Sequence, residues 1–324
     1  MNPPMDAPPF ISVIVLTCNR LAYLKDCVES LCAQAYPSDR MEIVVVDDGS
    51  DDGTDEWVER KRNTDERIVL IRHRENRGIP AARNSGLAAA TGPIVAIVAD
   101  DYLLKPDYLR TLADFFMARP DAMAVRFRIV PSDRRPASRI SHFHYDVSFR
   151  KRLQPPSQTV DDDSWKSAWR KWPSWPTEIT SLHNLEPAGA AAFRREVFDK
   201  EGFFDPELKR AEDIDMRSRF QQAGIPIYFN PHHVIPHRYG RFGWDTLKKS
   251  YESGKYARRL ARKQAQPGPD PAPPARESLR HRLLLLLARI RQAGSPLDIL
   301  IGVPGLIVFE AAWLLGYWKG GFSR

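Results

Sequence analysis

Cysteine is scarce in this sequence, with three among 324 residues, at Cys18, Cys27 and Cys32. An odd number without metal-type spacing excludes a disulfide framework and a cysteine-ligated zinc, and it points to a reducing compartment. Glycine-rich phosphate loops are also missing. No G-x-G-x-x-G follows the first strand-like segment and no G-x-x-x-x-G-K-[ST] occurs, so dehydrogenase and P-loop readings fall away. The opening MNPPMDAPPF has neither a basic n-region nor an apolar h-region, which predicts a chain that stays in the cytoplasm. No module interleaving aromatic with basic residues is recognisable, so no nucleic-acid partner is expected.

What is present is enough apolar residue, 43% of the chain, to bury one large core and leave an appendage. The net charge of +7 is unevenly placed: residues 238–324 hold 16 of the 48 Lys/Arg but only 6 of the 41 Asp/Glu. A basic C-terminal quarter predicts an anionic membrane surface as partner.

Short, nearly continuous β-branched runs at Ile11–Leu16, Glu42–Val46, Ile68–Ile71 and Ile94–Val98 predict buried parallel strands. Helical patterns at Leu21–Gln34, Thr54–Arg62 and Ile79–Ala90 lie between them, and the alternation predicts an α/β, doubly wound sheet. Residues 131–187 break the rhythm with prolines, the acidic run Asp161–Asp163 and four tryptophans at 165, 169, 172 and 175. The tryptophan spacing allows a helix face as far as Trp172, before Pro173. A small-residue strand near Gly189–Phe193, a helix opening near Arg195 and another over Ile214–Gln222 follow. Pro267–Pro274 then reads as a stiff linker.

Three acidic clusters carry the chemistry. In VVVDDGSDDGT, Asp47 and Asp48 stand where a buried strand opens into a turn, the expected address for a nucleotide in an open α/β sheet. The competing reading is that Asp47 caps the turn and Ser50, Asp51 or Asp52 caps the next helix. In IVAIVADDY, Asp100 and Asp101 end an apolar strand that needs no carboxylate to fold, and paired acids there suit a hard divalent cation bridging to a pyrophosphate. In AEDIDMRSRFQQAG, Glu212, Asp213 and Asp215 crowd a helix start. Dipole capping explains one or two of them, and an ionised carboxylate so held can act as a general base.

Taken in order, ISVIVLTCNR, EIVVVDDGSDDGT, NRGIPAARNSGL, the acidic ADD, GAAAFRREVF and FDPELKRAEDIDMRSRFQQAG resemble the family 2 glycosyltransferases over roughly residues 10–240. The resemblance implies a GT-A, Rossmann-like mixed and mainly parallel sheet flanked by helices. It also implies an inverting transfer from a nucleoside-diphosphate sugar donor, with a divalent cation (Mg or Mn). By the same resemblance Thr17, Asn19, Asp47, Asp48, Arg83 and Asp100 line the nucleotide pocket, and Asp101 and His237 meet the metal or pyrophosphate. Asp213 is implied as the base, supported by Glu212 and Asp215. The sequence departs from the pattern at Ala99, the first acidic position of the Asp-x-Asp motif, at Leu16 in place of Pro, and at Ala190 where Asn is frequent. On a strand Asp100 and Asp101 would face opposite ways, so joint action needs a twist or bulge. His232 and His233 read as structural or exposed rather than as ligands.

Ile299–Trp318 is a twenty-residue run with one charge, Glu310, interrupted by Gly302, Pro304 and Gly305. Together with RHRLLLLLARIR it predicts an amphipathic helical tail that lies in the interface, spans the bilayer or packs within protein. The expected organisation is therefore a disordered N-terminus over 1–9 and a nucleotide-sugar half over 10–130. An acceptor and catalytic half over 131–265, a Pro-rich linker over 266–277 and a membrane-associating tail over 278–324 follow. The expected role is a glycosyltransferase at the cytoplasmic face of the membrane acting on a glycan or lipid-linked acceptor. The competitors are a nucleotidyltransferase, which would need a basic Gly-rich loop that LTCNRLAYL does not supply, and a sugar-nucleotide-binding protein inactivated through Ala99.

Overall fold

The structure is a computed structural model that describes residues 7–133, 135, 138, 141–142, 176–183, 185–187, 189–208, 212–239, 244–264 and 296–319. The chain divides into two compact units. One comprises residues 1–130, 177–207 and 212–238, and the other residues 131–176, 208–211 and 239–324.

The first unit holds a mixed sheet in the order β3-β2-β1-β4-β7-β5-β8-β6. Its strands are β1 Ile11–Thr17, β2 Met41–Asp47, β3 Ile68–Arg72, β4 Ile94–Ala99, β5 Ala124–Pro131, β6 Thr180–Leu182, β7 Ala191–Arg194 and β8 Ile227–His237. The helices are α1 Leu21–Cys32, α2 Thr54–Arg62, α3 Ile79–Ala89, α4 Tyr108–Ala118, α5 Glu196–Glu201 and α6 Glu212–Gln222. All seven residues of β2 are buried, as its uninterrupted apolar run requires when both faces are covered. β1 pairs in parallel with β2 on one side and β4 on the other, while β7 joins β4 and β5 antiparallel. The strand order thus reverses at β1, with Thr17 level with Asp47 and Leu16 level with Ala99. Ligands of open α/β sheets sit beyond the strand ends at such a reversal. Gly86 allows α3 to lie on this part of the sheet, because a Cβ there would collide with Ile14 and crowd Val46.

The four parallel strands and α1–α3 lie where the hydrophobic runs predict them. The antiparallel half is less legible: β5, β6, β8 and α4 were not expected, although Leu109, Leu112, Phe115 and Phe116 bury one face of α4. α6 begins two residues earlier than its apolar pattern suggested, so the acidic triplet forms its first turn.

In the second unit, α7 Trp244–Gln264 packs against α8 Pro296–Lys319. The approach is backbone on backbone: a Cβ on Gly254 would collide with the carbonyl of Trp313, and one on Gly316 with that of Tyr251. Arg258 lies over the Tyr317 ring at 5.1 Å, and Ser250 donates to the carbonyl of Phe309. The twenty-residue apolar run is thus part of a helix pair. Among the described residues no helix is long and apolar enough to cross a membrane. The four tryptophans, the Pro-rich linker, the RHRLLLLLARIR stretch and the first six residues lie outside the described residues.

Candidate active site

At the sheet reversal, the carboxylates of Asp100 and Asp101 meet one guanidinium. Arg20 Nη1 lies 2.9 Å from Asp100 Oδ1, and Arg20 Nη2 donates to Asp101 Oδ2 at 2.8 Å. Thr17 Oγ1 donates to Asp100 Oδ2 at 2.8 Å. The alternation that would set the two acids on opposite faces does not apply, because β4 ends at Ala99 and both acids sit in a turn. That turn is closed by the Tyr102 amide on the Ala99 carbonyl at 3.2 Å. No bulge is needed.

β8 delivers His237 to the same turn. The Leu103 amide donates to the Pro236 carbonyl at 2.9 Å and the Arg238 amide to the Asp101 carbonyl at 2.8 Å. The His237 ring stands edge-on to Tyr102 at 5.1 Å, with Nε2 3.1 Å from Asp101 Oδ2. Burial pushes the Asp101 carboxyl up, but the hydrogen bond and charge of His237, together with Arg20, outweigh it and bring it down to about 2. The carboxylate is therefore ionised throughout the physiological range. Its Oδ1 is buried without a hydrogen-bond partner.

Two carboxylates and an imidazole are donor types that suit a divalent cation, and the orphaned Asp101 oxygen is an atom such an ion would satisfy. The place is taken by Arg20, however. Among the described residues no group of three or more His, Cys, Asp or Glu side chains is arranged to hold a metal. Arg20 was not singled out from the sequence. The only sign of it is its position three residues past Thr17, at the head of α1.

The β2 turn divides its two acids between different tasks. Asp47 Oδ1 accepts from the Ser50 amide at 3.0 Å, the expected turn cap, while its Oδ2 is buried without a partner. Asn19, in the left-handed region at φ +53°, accepts from the Asp51 amide at 2.8 Å and donates its own amide to Ser50 Oγ at 2.9 Å. It ties the β1 and β2 loops together. Asp48 is committed to the chain itself: Oδ1 accepts from the Arg77 amide at 2.9 Å and meets His73 Nδ1 at 2.7 Å, and Oδ2 accepts from the Gly78 amide at 2.9 Å. His73 Nε2 reaches Ser85 on α3 at 2.9 Å. Asp48 and His73 thus anchor the loop entering α3. No motif in the sequence marks His73.

At the start of α6 the triplet separates. Glu212 accepts from Arg83 Nη1 at 2.8 Å, and the Arg83 guanidinium also lies 4.9 Å from the centre of the Phe204 ring. Asp215 pairs with Arg219 at 3.0 Å, one helical turn on, and Arg219 in turn donates to the carbonyls of Glu201, Gly202 and Phe203 at the end of α5. Asn84 fixes the same segment by exchanging two hydrogen bonds with the Phe204 backbone, at 2.7 and 3.0 Å. Asp213 alone of the three has no ion-pair partner among the described residues. It is half-buried and accepts from the Ile214 amide at 3.0 Å. Arg83, placed by resemblance in the nucleotide pocket, is engaged with Glu212 and Phe204. His232 is exposed, and His233 is buried against Tyr108 and Phe127, where burial lowers its pKa.

The family model described as Glycosyl transferase family 2 matches residues 12–172. The glycosyltransferase AglE of Haloferax volcanii is 33% identical over 254 residues, 76% of this chain and 72% of the relative. The chain belongs to glycosyl transferase family 2. A second relative in that organism, a glucosyl-dolichyl phosphate glucuronosyltransferase, is 25% identical across 77% of this chain and 76% of its own length. Among solved structures, a mannosyltransferase from Pyrobaculum calidifontis in complex with GDP-Man and Mn2+ matches with a TM-score of 0.56. It is 23% identical, over 99% of this chain and 84% of that one, which establishes the GT-A fold.

Within this glycosyltransferase, the departure at Ala190 carries a backbone cost. Ala190 has φ +55°, in the left-handed region that Asn tolerates better than Ala.

Proposed function

We propose that this glycosyltransferase moves a sugar from a nucleoside-diphosphate sugar to an acceptor hydroxyl with inversion, and that Asp213 is the base. The observation that carries the assignment is the division of labour at α6. Glu212 and Asp215 are each held by an arginine, which leaves Asp213, at the positive end of a helix, as the carboxylate available to a substrate. Asp213 takes the proton of the acceptor hydroxyl. The oxygen attacks the anomeric carbon from the face opposite the nucleotide, the bond from that carbon to the diphosphate oxygen breaks, and the nucleoside diphosphate leaves.

Donor binding is assigned to the sheet reversal. Asp47 Oδ2, buried and unpartnered, is offered to the base or ribose, with Thr17 and Asn19 beside it. Asp48 and Arg83 serve this site indirectly, the first by setting the loop into α3 and the second by seating Glu212. Asp101 and His237 would hold a divalent cation, Mg or Mn, with Asp100 adjacent, and when bound it would supply charge compensation for the departing diphosphate.

The acceptor is proposed to be lipid-linked and presented at the cytoplasmic face of an anionic membrane. Two observations favour this. The relative named for glucosyl-dolichyl phosphate covers most of the chain, and α8 exposes Ile307, Val308, Leu315 and Trp318, all 44% exposed or more, in a region rich in Lys and Arg.

The test is Asp213→Asn, assayed with UDP-, GDP- and dTDP-sugars alongside titration with the corresponding diphosphates. Nucleotide affinity is expected to persist while turnover falls by about 10²–10⁴-fold, the usual contribution of a positioned base. Unchanged turnover removes Asp213 from the role.

A further inference from the structure

Arg20 is the feature of the donor site that the reaction scheme leaves unused. Its guanidinium spans both Asp100 and Asp101, at 2.9 and 2.8 Å, so the two acids already share a cation that belongs to the chain. Arg20 is the more exposed partner in this cluster. The Arg20 side chain is 31% exposed, against 2% for Asp100, and the guanidinium packs 4.4 Å from the centre of the Tyr23 ring. Tyr23 also carries Arg238 on its ring at 4.7 Å, and Arg238 pairs with Asp26. The N-terminal turn of α1 does not depend on the Arg20 side chain. It uses the Arg20 carbonyl, which accepts from the Tyr23 and Leu24 amides at 2.9 and 3.0 Å.

Charge decides between the two uses of such a cation. With Arg20 in place, two carboxylates share one guanidinium and, even counting a charge on His237, the cluster has no positive excess to attract a diphosphate. With a divalent cation between the acids and Arg20 released, the same groups become net positive, which attracts one. A guanidinium also matches phosphate oxygens two at a time, as it matches the carboxylates it leaves.

We propose that Arg20 is a two-position donor-site residue. It bridges Asp100 and Asp101 while the site is empty, gives both carboxylates to a divalent cation when donor arrives, and moves its guanidinium onto the diphosphate. The inference rests on the assignment of this end of the sheet to a nucleoside-diphosphate donor. It assigns Arg20 two effects of opposite sign: competing with the metal and helping the nucleotide.

The experiment uses the full chain, as wild type, Arg20→Gln and Arg20→Lys. Mn2+ alone is titrated and followed by its electron paramagnetic resonance signal, and UDP and GDP are titrated calorimetrically with saturating Mn2+ and with chelator. Arg20→Gln should bind Mn2+ alone about tenfold or more tighter than wild type, the factor expected when a charge-assisted pair no longer competes. The same variant should bind the diphosphate about tenfold or more weakly at saturating Mn2+. Arg20→Lys, which keeps the charge but loses the fork, should fall between wild type and Gln on both readouts.

Unchanged or weaker Mn2+ binding by Arg20→Gln, with thermal unfolding like wild type, overturns the competition. Equal diphosphate affinity in chelator and in Mn2+, lost in Arg20→Gln, would make Arg20 a permanent replacement for the ion and overturn the two-position account. If wild type binds no nucleoside diphosphate under any condition, the donor-site assignment itself fails, and the second position of Arg20 fails with it. The Mn2+ arm still reports separately on the first.

Discussion

Replacing Arg83 with Met tests how the acidic triplet is seated. The Arg83 and Glu212 side chains are 10% and 7% exposed, and they meet at 2.8 Å. A unit pair near 4 Å is worth about 4 kcal/mol at an effective dielectric of 20. Removing one member of a buried pair costs about 3–5 kcal/mol, because the other loses its counter-charge inside the protein. The contact is through one nitrogen of the guanidinium, and Arg83 Nε is buried without a partner, which favours the lower end. Met keeps the apolar stem against Phe204, so Arg83→Met is expected to cost about 3 kcal/mol.

Arg83→Met combined with Glu212→Leu removes both charges and should lie within about 1–2 kcal/mol of wild type, since a well-packed apolar pair can replace a buried ion pair. Urea unfolding followed by circular dichroism gives the cycle from the shifts in midpoint. A loss below about 1 kcal/mol in Arg83→Met, the range of exposed pairs, would refute the argument that the pair is shielded from water. A double variant less stable than the single one would refute the claim that the charge, rather than the packing, carries the cost.

Other expectations follow from the same site and its surroundings. Asp48→Asn replaces one of the two carboxylate oxygens that accept from the Arg77 and Gly78 amides by a group that can donate. It should cost about 1.5–3 kcal/mol and speed hydrogen exchange at those two amides, and unchanged exchange would count against the anchoring role. His233 is held neutral because burial lowers its pKa from 6.5, so the unfolded chain binds its proton first. Stability from this group is present above about pH 6.5 and falls as the pH drops below it, and His233→Phe should flatten that part of a stability-against-pH curve. Leu315→Glu with Trp318→Glu should abolish binding to anionic vesicles in a co-sedimentation assay while leaving transfer to a water-soluble acceptor intact. Undiminished vesicle binding would remove α8 from the membrane contact.

Local patterning determined the parallel half of the protein and the addresses of its acids. Runs such as Ile43–Val46 are too apolar for anything but a strand covered on both faces, and an acid directly after such a run can only stand at the strand's carboxyl end. The places of Asp47, Asp48, Asp100 and Asp101 at strand ends were therefore legible, and those of Glu212, Asp213 and Asp215 at the head of a helix. The partner of each acid was not legible, because partners come from distant parts of the chain. Asp48 is satisfied by His73 and the α3 loop, Glu212 by an arginine 129 positions earlier, and Asp101 by Arg20 and by His237 at the end of β8. Hydropathy likewise marked Ile299–Trp318 as apolar without showing what covers it. Gly254 and Gly316, unremarkable in the sequence, let the backbones of α7 and α8 touch and bring part of that surface against protein. The sequence determines which groups must be buried and which must be charged; only the tertiary structure decides which buried charges neutralise one another, because that depends on proximity in space.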